Sequence, residues 1–337
     1  MIYPEFLVNC CTIGVTALSD GNKKVTDFAR LDYGKGQFQG KGYEIIETAH
    51  VRTSDKGRST DGKTRAAEFG DLIENDKVKW IVAAKGGDFL VEMLPFVDFD
   101  KIKANPTWIQ GYSDNTGITF TVTTNCDIAT VYGCNFSDFG MEQWHKALEN
   151  NLDILEGKQI VQTSFDLYEG GFYDRVTGLE GYILEKPVHW RNLTTDDEII
   201  MSGRLLGGCL DVLLNLVGTR FDNTNNFIDQ YKEDGILWYL ESFSLTSEAL
   251  TRGLWQLKEA GWFEYVKGFI FGRPAFFDPE SYIPYDEAVL SVLGELSVPI
   301  ILEADIGHKA PQMTLINGAM AIIHSVGGKG SMTLEMK

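Results

Sequence analysis

The chain has 337 residues, 44% hydrophobic and 23% charged, with no low-complexity tract. That length can bury one large core or the cores of two domains. A formal net charge of −18 argues against a protein that tracks nucleic-acid phosphates, and otherwise speaks for solubility more than for fold.

The opening stretch MIYPEFLVNCCTIGV lacks a basic region followed by a long apolar run and a small-residue cleavage site, so it does not read as a signal peptide. No stretch reaches the length that spans a bilayer. Cysteines 10, 11, 126, 134 and 209 are odd in number and lack framework spacing. The expectation is a reducing cytoplasm, with most of these thiols acting as small buried hydrophobes.

In chain order, Cys11 to Leu18 reads as a first strand ending in a turn, and Thr64 to Asn75 has helical periodicity. Trp80 to Ala84 is a buried strand running into Gly86-Gly87, and Trp108 to Gln110 a short strand leading into Gly111-Tyr112-Ser113-Asp114. Strands alternating with helices predict a parallel sheet covered on both faces. Phe165 to Asp197 is rich in Gly, Tyr and charge, and reads as a crossing between domains with a long surface loop. Beyond it, strands are expected at Gly235–Leu240, Val266–Phe271 and Pro299–Glu303, and helices at Leu210–Leu216 and Ser247–Ala260. Thr314–Ile323 and Ser331–Met336 read as a closing antiparallel pair. The organisation expected is an N-terminal α/β domain over 1–160, a crossing over 161–200 and a C-terminal domain over 201–337.

Ser113 follows a strand directly, with Gly111 two residues before it, the arrangement a nucleophile elbow needs. The turn is tight, the hydroxyl is held above the sheet, and the next amide can point at an oxyanion. The plainer alternative is a helix N-cap, with Asp114 supporting the first turn. Gly86-Gly87 also follows a strand, where glycines let amides approach a ligand or simply make a turn. The Gly86-Gly87 turn carries neither the GxxxxGK(S/T) nor the GxGxxG spacing of a phosphate loop. His308 lies in a loop after the Pro299–Glu303 strand, a setting for a catalytic base or for an ordinary surface histidine. Glu241 ends the apolar run from Leu237, where a carboxylate needs a partner such as an imidazole N–H, unless it caps a helix. No HExxH, HxxxH or paired-cysteine spacing points to a metal.

Together these places resemble the LD-carboxypeptidase family of serine peptidases across nearly the whole chain. The segments that carry the likeness are Arg65 on its helix, Ile81 to Gly87, Gly111 to Asp114, Gly203 to Gly208, Leu240-Glu241, and Gly307-His308 with Pro311. Gly86-Gly87-Asp88, Tyr132-Gly133 and Phe139-Gly140 look most like its microcin-immunity branch. The resemblance implies a Rossmann-like N-terminal parallel-sheet domain, a C-terminal α/β domain with mixed β-structure, and an active site at their junction. It implies a triad of Ser113, Glu241 and His308, and an oxyanion hole from the Asp114 amide with that of Gly86 or Gly87. It also implies no metal or organic cofactor, and commonly a homodimer. Two departures stand out: Cys209 occupies a position where the family usually has Asn, and the branch's base-stacking aromatic has no plain equivalent. Trp190 looks like a framework residue, which leaves Phe172 and Tyr173 as stacking candidates. Asp88 is a candidate partner for a substrate α-ammonium, or a solvated turn residue. The expected substrate is an aminoacyl-nucleotide or related aminoacyl amide. The alternatives are a murein peptide losing a C-terminal D-amino acid, and a catalytically silent binding protein.

Overall fold

Apolar runs alternate with polar, helix-forming stretches through the first half, and each run becomes a strand flanked by covering helices. A computed structural model describes residues 1–8, 10–195, 197–277 and 281–336. Its first half runs β1 (Thr12–Thr16), α1 (Val25–Gly40), β2 (Glu44–Glu47), α2 (Gly62–Ile73), β3 (Val78–Ala83), α3 (Phe99–Ala104), β4 (Trp108–Gln110), α4 (Thr116–Cys126), β5 (Thr130–Tyr132) and α5 (Lys146–Leu155). These five strands are parallel, in the spatial order β2-β1-β3-β4-β5. The order reverses beside β1, so the loops leaving β1 and β3 diverge and open a crevice at the carboxyl ends of the strands.

The second half runs β6 (Val161–Thr163), β7 (Leu167–Tyr168), β8 (Lys186–Pro187), β9 (Arg191–Asn192), β10 (Ile199–Cys209), α6 (Leu210–Leu216), α7 (Thr224–Gln230), β11 (Ile236–Glu241), α8 (Ser247–Glu259), β12 (Val266–Gly272), α9 (Tyr285–Leu293), β13 (Ile300–Ala304), β14 (Leu315–Asn317), β15 (Met320–Val326) and β16 (Lys329–Glu335). Its sheet has the order β6-β16-β15-β10-β11-β12-β13-β9. β10 to β13 are parallel and the strands at either side are antiparallel, giving the mixed α/β architecture expected. No helix among the described residues is long and apolar enough to cross a membrane.

The stretch Thr314–Ile323, expected as one strand of a closing pair, is divided. Gly318 turns the chain at φ +88, leaving β14 antiparallel to β5 in the first sheet and β15 paired with β16 in the second. The Asn317 carboxamide secures the division, accepting from the Gly207 amide at 3.0 Å and the Tyr239 hydroxyl at 2.9 Å. The Phe165–Asp197 crossing contains the small β7–β8 ladder and the edge strand β9. Arg30 of α1 holds its middle, donating to the carbonyls of Gly178 and Glu180.

α4 lies in the apolar layer between the sheets, with every residue buried except Asn125. Periodicity does not reveal this helix, because TGITFTVTTNC has no polar face and is rich in β-branched residues. Its threonines are accommodated by bonding back to carbonyls one turn earlier, Thr119 to Asn115, Thr121 to Gly117 and Thr124 to Phe120. β10 meets the first half here. Gly208, at φ +151, packs on Thr116, whose hydroxyl accepts from the Cys209 amide at 3.1 Å.

Within the second sheet, the neighbouring Gly207 lies so close to β11 that a Cβ would stand 1.8 Å from the Tyr239 carbonyl oxygen. Gly207→Ala should therefore cost about 3 kcal/mol or more, read as a fall in denaturation midpoint. Gly36→Ala, on the exposed side of α1 with nothing within 4 Å of the added atom, should instead stabilise by about 0.4–1 kcal/mol.

Candidate active site

β4 ends at Gln110, and the chain turns through Gly111-Tyr112-Ser113 into α4. Ser113 sits at φ +65, a left-handed conformation that costs a non-glycine residue about 1–3 kcal/mol. Asn115 clamps the turn, its amide nitrogen lying 3.1 Å from the Lys85 carbonyl, 3.0 Å from the Tyr112 carbonyl and 3.1 Å from Asn135 Oδ1. A Cβ on Gly111 would come within 2.7 Å of the Asn115 side chain. The small residue expected beside the serine thus makes room for the clamp, not for the hydroxyl itself. Ser113 is not the helix N-cap of the plainer reading, since it lies inside a short 3-10 turn that precedes α4, and Asp114 reaches away from the helix. Its buried carboxylate accepts from the Ser19 hydroxyl and the Leu90 amide, tying the serine turn to the loops after β1 and β3. Burial pushes its carboxyl up, against the pull of those two donors.

The loop after β13 brings His308 over this turn. Its Nε2 lies 2.9 Å from Ser113 Oγ and its Nδ1 2.9 Å from Glu241 Oε2. Glu241, at the end of β11, is fully buried. Burial disfavours its charge, but the His308 imidazole and hydrogen bonds from His308 and Tyr132 outweigh that and hold its carboxyl below the usual carboxylate range. Gly307 is required beside it, because a Cβ there would come within 2.6 Å of the carboxylate carbon and its φ is +86. The other histidines are engaged elsewhere: His50 with Glu68, His145 capping α5, His324 with Glu198, and His189 packed on Gly328.

Gly86 lies directly against the serine: a Cβ on it would be 3.1 Å from Ser113 Oγ and 3.9 Å from the Asp114 amide nitrogen. Gly87 packs instead on Ser19 and the Asp20 amide. Arg65, buried on α2, braces the same loops by donating to the carbonyls of Leu18 and Phe89. The Ser113 amide points elsewhere, donating to the Tyr132 hydroxyl at 3.4 Å.

Asp88 is exposed and makes no hydrogen bond or ion pair among the described residues. The two stacking candidates separate. Tyr173 donates to Glu185 within the crossing. Phe172 joins an aromatic group, stacked on Phe276 at 4.9 Å and edge-on to Phe243, whose ring lies 4.6 Å from that of His308. Phe243 and Phe276 escape sequence reasoning, since one follows Glu241 closely and the other is distant in the chain. Only the fold stacks them beside the crossing. Cys209 lies buried by Glu241, and Lys309 Nζ donates to the Gly170 carbonyl at 2.6 Å, tethering the crossing to the His308 loop. Among the described residues, no group of three or more His, Cys, Asp or Glu side chains is placed to hold a metal ion.

The arrangement aligns a hydroxyl, an imidazole and a carboxylate at the crevice of an α/β sheet, with free backbone at a glycine turn beside it. That geometry suits acyl transfer. Comparison with known proteins places it in a family. Residues 13–133 match the LD-carboxypeptidase N-terminal domain, and residues 202–323 match the LD-carboxypeptidase C-terminal domain. The microcin C7 self-immunity protein MccF of Escherichia coli is 28% identical over 321 residues, covering 93% of this chain and 90% of its own. A solved structure of MccF in complex with aspartyl sulfamoyl adenosine superposes with a TM-score of 0.82 at 25% identity, covering 100% of this chain and 99% of that one. A muramoyltetrapeptide carboxypeptidase from Oxalobacter formigenes has the same fold, with a TM-score of 0.73 at 19% identity over 96% of this chain and 99% of its own. The chain is a member of the LD-carboxypeptidase family of peptidases.

Proposed function

We propose that this protein is a serine peptidase that hydrolyses an amide bond with Ser113 as nucleophile, His308 as general base and acid, and Glu241 as the group that orients His308. The observation that carries the reading is the unbroken line from Ser113 Oγ to His308 to Glu241, with 2.9 Å at each step, at a serine held in a left-handed turn. His308 Nε2 takes the hydroxyl proton as Oγ attacks the carbonyl carbon. Glu241 keeps the other ring proton on Nδ1 and stabilises the imidazolium. The tetrahedral oxyanion is held by the Asp114 amide and an amide of the Gly86-Gly87 turn. Collapse transfers the proton from Nε2 to the leaving amine and leaves an acyl-serine. A water then gives its proton to His308, adds to the ester and releases the acid.

The substrate we favour is an aminoacyl-nucleotide or related aminoacyl amide. The likeness to MccF, solved with aspartyl sulfamoyl adenosine, supports this, as does the stacked pair of Phe172 and Phe276, each 54% exposed. A planar base could stack there. Asp88, exposed beside the glycine turn, is the proposed partner of the substrate α-ammonium. A murein peptide ending in a D-amino acid is the second reading, supported by the fold shared with the muramoyltetrapeptide carboxypeptidase.

Ser113→Ala should lower turnover by about four orders of magnitude or more without changing the thermal midpoint, and adding His308→Ala or Glu241→Ala to it should cost little further. Additive losses would contradict a shared triad, and a fluorophosphonate that fails to label Ser113 would indicate a silent binding protein. Because the chain supplies every group in these steps, EDTA should leave turnover unchanged. Gly86→Ala, which presses a methyl on the serine hydroxyl, should lower kcat by about 100-fold while the protein melts near the wild-type temperature. An aminoacyl-sulfamoyl adenosine should be cleaved faster than a tetrapeptide ending in D-alanine; the reverse preference would favour the murein reading. Asp88→Asn should raise KM for substrates with a free α-amine and leave N-acetylated ones unaffected, whereas equal effects on both would remove Asp88 from the site.

A further inference from the structure

Tyr132 ends β5, on the first sheet, yet its hydroxyl lies among groups of the second. It donates to Glu241 Oε1 at 2.6 Å and accepts from the Ser113 amide at 3.4 Å. The side chain is fully buried, paired through the backbone with Leu315 of β14 and packed on Tyr239 at 5.4 Å between ring centroids. The phenol thus bonds both ends of the triad, the nucleophile through its backbone and the orienting carboxylate directly. Glu241 presents one oxygen to His308 and the other to Tyr132. With Oε1 fixed, rotation of the carboxylate is blocked and Oε2 stays in line with Nδ1. The nearby Cys209 thiol donates instead to Asp211, at 3.8 Å.

We propose that Tyr132 is a positioning residue for the hydrolytic reaction, locking the Glu241 carboxylate toward His308 while holding the backbone of the nucleophile turn. This rests on the triad reading above. Burial first, and then the neighbouring Glu241 charge, push the phenol well above its ordinary range, so it remains a protonated donor. The titratable groups that face Glu241 are Tyr132 of β5, Cys209 of β10, Tyr239 of β11, His308 of the loop after β13, and Tyr112 and Tyr285 at the margins. Of these, Tyr132 and His308 hydrogen-bond it, while the Cys209 thiol donates to Asp211.

The test is the pH dependence of kcat and kcat/KM in Tyr132→Phe, with thermal melts in parallel. A charge-assisted hydrogen bond is lost, so kcat should fall by about 10- to 100-fold while KM stays within about twofold. A buried carboxylate with one donor fewer holds an imidazolium more strongly, so the acid limb of kcat/KM should move to higher pH. Tyr239→Phe removes a neighbouring buried hydroxyl that bonds Asn317 instead of Glu241, and should leave that limb in place. Replacing Tyr132 with a ring-fluorinated tyrosine keeps the shape and strengthens the donor, so it should move the limb to lower pH even if Tyr132→Phe does not fold. Unchanged turnover in a folded Tyr132→Phe, or a limb that moves in neither replacement, would overturn the proposal. Ser113→Ala distinguishes the two levels: if it is active the triad reading has failed, and if it is inactive beside a normal Tyr132→Phe only this inference is lost.

Discussion

A carboxylate with no exposure to water governs much of this structure. Glu241 lies at the end of a fully buried strand, where an unpaired charge would cost several kcal/mol, on the order of a domain's whole stability. Its charge is tolerated because donors from two other parts of the chain converge on it: the His308 ring and the Tyr132 phenol. Each donor belongs to a different element, one of them on the first sheet. The requirement to satisfy one buried group therefore also fixes how the two halves of the molecule meet. Gly307 and Gly272 show how closely the backbone is drawn around it: a Cβ on Gly307 would press on the carboxylate, and one on Gly272 would reach Glu241 Cβ and the Ile306 carbonyl.

The serine turn is held from the opposite side. Ser113 adopts a backbone conformation that is unfavourable in isolation, and its neighbours over-determine it: Asn115 bridges three segments and Asp114 ties it to the loops after β1 and β3. α4 continues directly from this turn into the apolar layer between the sheets. A helix buried on all sides moves little, so the hydroxyl is carried on one of the most constrained elements of the fold. The same tightness explains Gly208 of β10, which admits Thr116 where the halves touch.

The crossing is tethered in a more local way. Arg30 grips its middle, Lys309 and the Glu169 amide bind it to the His308 loop, and Phe172 is left on the exposed aromatic face. The surface we propose for substrate contact is thus carried by a segment with short polar tethers, while Glu241 ends a packed strand, Ser113 leads into a buried helix and His308 lies on the loop after β13. Specificity can vary there without disturbing the hydroxyl–imidazole–carboxylate line.

Much of the outline is legible in the order of residues, because local chemistry determines it. Apolar runs such as Trp80–Ala84 and Trp108–Gln110 have too few polar groups to be anything but buried strands, and Gly111 before Ser113 marks a tight turn wherever it lies in space. Ser113, Glu241 and His308 stand at strand ends, where a parallel sheet places its reactive loops. What the sequence could not settle are facts of juxtaposition. α4 has no polar face to announce it, since both of its sides are covered by tertiary partners. Thr314–Ile323 divides at Gly318 because Asn317 finds its partners on β10 and β11, more than 70 residues away. Phe243 and Phe276 become one surface with Phe172, and Tyr132 becomes a link between nucleophile and carboxylate, only when distant segments are packed together. Hydrogen bonds and ring contacts depend on positions in space, and only the folded chain brings those positions within reach.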